Sequence, residues 1–315
     1  MRSSTRARTA LVLAGTTTLL LAACTGSGPG GSGGTPGPSG GGGGIAHPTG
    51  ATELVFSISY EGGLLPVEAV FSQVPMLTVA GDGRVIAPGA QIEIYPGPAL
   101  PSVQTRRMSE TGVQLLLERL ASTGFFAESA TFTEESLAID APLTVFTLHA
   151  DGREVVVKIG ALGMYRTEAE MPPNMTAREK QAHLALAPLM DELTVIDQMI
   201  PASAWEETEW HAHVAESLRL LVSNRDGEPA DPAMPAQDVP WPVDGDPATF
   251  GEPYPALEGA RCGVVTGEEA STWYETLGQA NQLSRFTAGE HRYQVTVRPV
   301  LPGEPATCVV GQPAG

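Results

Sequence analysis

Two Asp-Gly pairs set between β-rich runs do most to limit the folds open to this chain. Asp82-Gly83 separates residues 75–80 from 84–87, and Asp151-Gly152 separates residues 143–149 from 153–159. An Asp-Gly pair accepts the positive backbone angles of a tight hairpin, so each pair folds its flanking runs into adjacent antiparallel strands. Residues 54–60 read as a further strand, ended by Gly62-Gly63. Residues 91–95 read as a fourth strand candidate, stopped by Pro96-Gly97-Pro98. Between the hairpins, Ser109 can cap a helix from Glu110 to about Ser122, with Val113, Leu116, Leu117 and Leu120 on one face. Gly124 stands where that helix ends, and Phe125 and Phe126 follow it towards the core.

A second set of elements comes later. Thr176-Ala177-Arg178-Glu179 has the form of a capping box. The helix it opens should run through Leu184, Leu189 and Leu193 to about Met199, kinked or divided by Pro188. From near Trp210 a second core begins. Residues 218–223, 261–265 and 292–298 read as strands, and residues 226–256, dense in Pro, Asp and Gly, as an ordered connector. Thr266-Gly267-Glu268-Glu269 is a second capping-box pattern, before a helix with Ala270, Trp273, Tyr274 and Leu277 on one face. The expected fold is α+β, in two small units that each pack an antiparallel sheet on one or two helices. One spans residues 53–200 and the other 201–315.

The start of the chain fixes the expected compartment. Arg2, Arg6 and Arg8 precede an apolar stretch that ends in Leu21-Ala22-Ala23-Cys24. The stretch is too short to span a bilayer, which takes about 20 apolar residues, and it reads as a signal that is removed. The four residues resemble the lipobox of bacterial lipoprotein signal peptides. That resemblance implies cleavage after residue 23, a diacylglyceryl group on Cys24, and a further acyl chain such as palmitate. The protein would then sit on the cell membrane by its lipid, on the extracytoplasmic face. Residues 24–52 read as a Gly/Ser/Pro tether with a span of roughly 30 Å. Its Gly30-Gly31-Ser32-Gly33-Gly34 matches a nucleophile-elbow pattern, but no strand-to-helix turn holds that serine. In an oxidising compartment Cys262 and Cys308 read as a disulfide, and closing a loop of 46 residues stabilises a fold by about 4 kcal/mol in the chain-entropy model.

Two further resemblances extend this. The strand at 56–60, the Pro-led strand at 75–79, the Asp82-Gly83 turn, the helix ending at Gly124-Phe125 and the Asp151-Gly152 turn resemble a family of uncharacterised extracytoplasmic sheet-and-helix domains over residues 53–160. Trp241-Pro242, the run 261–267, and 298–304 with Cys308 resemble uncharacterised lipoproteins of high-GC Gram-positive bacteria. Both imply a fold and a location, and neither implies an activity or a cofactor.

Charge narrows the partners. The formal charge is −18, and removing residues 1–23, which hold three arginines and no acid, takes it to −21. Such a body repels nucleic acid and anionic lipid, so nucleic acid is not an expected partner. Local chemistry is sparse. His211 and His213 share a face of an extended segment and are the candidate metal ligands, without a third ligand at a recognisable spacing. Asp226, Glu228, Asp231, Asp244 and Asp246 lack the spacing of a calcium loop. Tyr95, Trp205, Trp210 and Trp241 either close a small core or line a recognition groove. The sequence supports a non-enzymatic binding or envelope-assembly module, whose partner is another envelope protein or a wall component. An envelope hydrolase would need His149, His183 or His291 in a cleft with an acid or a serine. An accessory solute-binding lipoprotein would need an enclosed pocket between two lobes.

Overall fold

The computed structural model describes residues 43–133, 141–229 and 231–308, so the signal segment, Cys24 and the first part of the tether lie outside the described residues. In chain order the first elements are β1 (Leu54–Glu61), α1 (Val67–Ser72), β2 (Leu77–Ala80), β3 (Arg84–Pro88), β4 (Val103–Arg107), α2 (Glu110–Ser122), β5 (Ala130–Phe132), β6 (Leu143–Ala150), β7 (Arg153–Gly160), α3 (Ala177–Thr194), α4 (Ile196–Met199) and β8 (His211–Ala212). The rest are β9 (Ser217–Asn224), β10 (Asp238–Pro240), β11 (Glu252–Pro253), β12 (Arg261–Thr266), α5 (Gly267–Leu277), β13 (Arg285–Ala288) and β14 (His291–Pro299). They form an α+β fold with two sheets. The eight-stranded sheet has the order β5-β7-β6-β1-β2-β3-β4-β8, and the six-stranded sheet β10-β13-β14-β9-β12-β11. Pairing is antiparallel except at one edge of each sheet, where β5 runs parallel to β7 and β10 to β13.

Both Asp-Gly turns form. Asp151 and Gly152 sit at φ 51° and 68°, the left-handed region that a two-residue hairpin demands, and Gly83 at φ 82°. The first sheet buries Phe56, Ile58, Leu77, Val85, Phe146 and Val157 under α2 and α3. Its other face carries Ile86 and Val103 beneath Leu301 from the C-terminal tail. The second sheet sets Leu218, Leu220 and Val222 against Trp273 and Leu277 of α5. Its other face, with Leu221 and Cys262, is covered by Phe71 of α1. A helix that lies between two strands of the first sheet therefore fills the back of the second. The tail crosses the other way: Val300 donates its N–H to Ser217, Gly303 donates to Thr52, and Cys308 is disulfide-bonded to Cys262.

Several expectations are revised. Residues 91–95 form no strand. Ile92 and Ile94 are exposed, and the place beside β3 is taken by β4, which pairs Val85 with Arg106 and Ala87 with Gln104. Helix α3 runs unbroken through Pro188 and ends at Thr194. A proline removes one backbone donor from a helix, and here Leu186, Leu189 and Leu193 are buried around it. Thr176 and Glu179 form their reciprocal cap, but the second capping-box pattern does not close. Thr266 is held extended in β12 opposite Ser217, Gly267 turns at φ 57°, and the threonine makes no cap bond. Part of the composition-defined tether is packed. Gln114 pairs with both the N–H and the carbonyl of Ile45 at 2.9 Å, and the Ala46 carbonyl accepts from Asp151 N at 2.7 Å.

Candidate functional site

A groove opens on the helix-covered face of the first sheet, where α3 runs out. Strands β2, β3 and β4 supply Leu77, Ala87, Pro88 and Gln104 as its floor. The α3–α4 junction supplies Leu193, Val195, Ile196 and Asp197, and Trp210 closes one side. Its volume is about 270 Å³ and it is open to solvent. The geometry follows from the break at Val195, whose φ of −123° and ψ of 48° end the helix before it covers the end of the sheet.

Asp197 organises the polar side. One carboxylate oxygen accepts from Arg106 Nη1 and the other from Trp210 Nε1 at 2.8 Å. Arg106 lies over Trp205, its Cζ 4.1 Å from the ring centroid, and donates Nε–H to the Glu207 carbonyl at 2.9 Å. Trp205 in turn donates to the Ile200 carbonyl at 3.2 Å. Each group fixes the next, so Trp210 stands in a set position. The groove offers apolar walls and one carboxylate whose charge Arg106 already offsets, which suits binding of an apolar group.

The sequence candidates fall elsewhere. His211 and His213 belong to β8 and the residue after it, at the sheet edge beside β4, where His213 N donates to the Val103 carbonyl. Burial, and then the nearby Arg84 charge, hold the His213 imidazole down at about 4. Among the described residues no group of three His, Cys, Asp or Glu is placed to hold a metal ion. His149 is on β6 facing Glu154 at 3.6 Å, His183 is buried in α3 edge-on to Tyr165, and His291 on β14 bonds Asp226 at 2.6 Å. Those three histidines occupy separate elements, and none lines the groove. Four of the connector acids, Asp226, Glu228, Asp231 and Asp246, serve bonds within the fold. Asp226 accepts from His291 and from Arg292 N, which hold its carboxyl at about 2. Glu228 joins Arg225 to Arg285, and Asp231 and Asp246 accept backbone N–H groups.

Of the aromatics, Trp241 packs edge-on against Trp273 at 4.9 Å, Trp205 is buried, Trp210 lines the groove and Tyr95 is exposed. Asp197, Arg106 and Val195 are absent from the sequence candidates. An acid inside a helical run and an arginine in a polar strand carry no local signature, and only the pair of tryptophans hinted at the place. Comparison of the chain with protein-family models, with curated proteins and with solved structures finds no match in any of the three.

Proposed function

We propose that this chain is a lipid-anchored protein of the extracytoplasmic face, a binding or envelope-assembly module that takes part of its partner into the Trp210 groove. The location rests on the lipobox resemblance at Leu21-Ala22-Ala23-Cys24 and on a disulfide between Cys262 and Cys308, a bond favoured outside the reducing cytosol. The binding role rests on one observation, the open groove whose tryptophan is fixed by the Asp197–Arg106 pair. The partner class is another envelope protein or a wall component.

Two measurements test the reading. Intact-mass analysis should find Cys24 at the new N-terminus and lipidated, and Cys24→Ser should move the protein out of the membrane fraction. Affinity isolation of the lipidated chain from detergent-solubilised envelopes should retain a partner that Val195→Glu loses. An unmodified Cys24 overturns the anchor. Identical recovery with wild type and Val195→Glu overturns the groove.

A further inference from the structure

We infer that the end of the first sheet beside the groove is a docking surface for a protein segment with apolar side chains and basic flanks. This deepens the binding role proposed above and rests on it. Three loops expose large apolar side chains: Leu64 and Leu65 at 82% and 51%, Ile92, Ile94 and Tyr95 at 70%, 59% and 65%, and Val214 at 67%. They leave the C-terminal ends of β1, β3 and β8. The register puts those three ends together, because Ile58 pairs with Leu77, Pro88 with Val103, and Gln104 with Ala212. The groove residues Leu77, Ala87 and Gln104 occupy the same end.

These side chains stand on fixed backbone. After Leu65 comes α1, whose Phe71 is buried against the second sheet. Beyond Tyr95, Gly97 exchanges bonds with Gln282, and Ala99 donates to the Ala280 carbonyl. The residue after Val214, Ala215, donates to the Tyr274 hydroxyl at 2.9 Å. Apolar groups held exposed in this way, several together at one end, mark an interaction surface.

Charge selects the occupant. Glu93 lies between the two exposed isoleucines and Glu216 lies two residues past Val214, and among the described residues neither forms an ion pair. The cations on and beside these strands are engaged: Arg84 of β3 with Asp82, Arg106 of β4 with Asp197, and Lys158 of β7 with Glu61 of β1. A second copy would bring the same acids face to face, and an anionic bilayer would be repelled as well. The chain that leads back to Cys24 joins at the opposite end, where Ile45 meets Gln114 and Ala46 meets Asp151. That is roughly 27 Å away along an eight-residue strand. The first described residues of the N-terminal segment therefore meet the fold away from this end. Lysine or arginine beside an apolar stretch supplies what Glu93 and Glu216 lack.

Photocrosslinking with the full lipidated chain in intact cells tests the inference. Benzoylphenylalanine replaces Leu65, Ile94, the groove-lip residue Thr194, or Glu154 at the tether end, one position at a time. The expected result is a discrete protein adduct from positions 65 and 94 and none from 154. Its yield should fall by roughly threefold in Glu93→Gln/Glu216→Gln, as expected when complementary charge is removed. Adducts from Thr194 alone overturn this docking surface and leave the groove reading standing. Adducts from no position overturn both. An adduct of twice the chain mass, which marks a second copy, or lipid adducts only, overturns a different protein with basic flanks as the occupant. A yield unchanged in the double variant overturns the basic flanks.

Discussion

Arg219 and Arg298 share a single carboxylate inside the fold. Arg219 is 1% exposed and donates to the Thr307 carbonyl at 2.7 Å, to Glu304 at 2.8 Å and to the Pro305 carbonyl at 2.7 Å. Arg298 bonds the other oxygen of Glu304 and the Gln73 carbonyl, and burial holds its guanidinium below the ordinary value. The three residues do not contribute alike. Removing Arg219 still leaves one cation with one anion, whereas removing Glu304 leaves two buried cations uncompensated. Glu304→Gln should therefore cost about 3 kcal/mol or more, and Arg219→Met clearly less. Urea unfolding of the two variants checks this, and an equal or reversed order would show that the carboxylate is not the hub. His213 gives a second prediction at this scale. Its folded value near 4 lies below the ordinary 6.5, so the fold favours the neutral ring. The unfolded chain takes up the proton first. The contribution is complete above pH 6.5 and is lost as pH falls towards 4. The urea midpoint should drop between pH 7 and pH 4.5, and His213→Gln should flatten that drop. A variant whose midpoint falls as steeply as wild type would remove His213 as the cause.

At the scale of elements, two identical-looking motifs have different fates. Thr176 accepts from Glu179 N and Glu179 bonds back to Thr176 N, while Thr266 makes no cap bond. Thr176→Ala should cost about 1 kcal/mol, and Thr266→Ala should cost no cap contribution. Chemical denaturation of both variants separates them, and equal losses would contradict the difference in capping. The contrast also shows where sequence reading succeeds. A hairpin turn is decided by two adjacent residues, so Asp151-Gly152 could be read directly, as could the stripe Val113, Leu116, Leu117 and Leu120 on α2. Other elements are decided by what lies across from them. Ile92 and Ile94 alternate as a strand does, yet among the described residues they pair with no strand. The residues that do pair there, Val103–Arg107, are mostly polar and show no period. α1 has only six residues, too few to display a face, and it is defined by Phe71 meeting Leu221 and Cys262 more than a hundred residues away. The groove was hidden for the same reason, since its members come from β2, β3, β4 and the α3–α4 junction.

For the whole molecule, the important fact is how the two sheets exchange parts. α1 belongs by sequence to the first sheet and packs on the second. β8 lies past residue 200 and pairs with β4 of the first sheet. The tail leaves β14 of the second sheet, lays Leu301 on Ile86 and Val103 of the first, and returns to Cys262 through Cys308. Both sheets belong to one compact unit. A cut between residues 200 and 201 would strip Phe71 from Leu221, and β8 from the edge of the first sheet. Residues 201–315 alone should then fail to fold, even with the disulfide able to form. In the intact chain the exchange couples the sheets, so calorimetry should show one transition. Phe71→Ala removes a buried aromatic ring and should cost about 3 to 5 kcal/mol, moving that single transition to lower temperature without splitting it. Cys262→Ala/Cys308→Ser should cost about 4 kcal/mol in the chain-entropy model, from a closed loop of 46 residues. It should shift the same transition, because the tail it releases touches both sheets. Two resolved transitions in either variant, or a folded fragment 201–315, would mean that the shared helix and tail join two bodies that are stable without them.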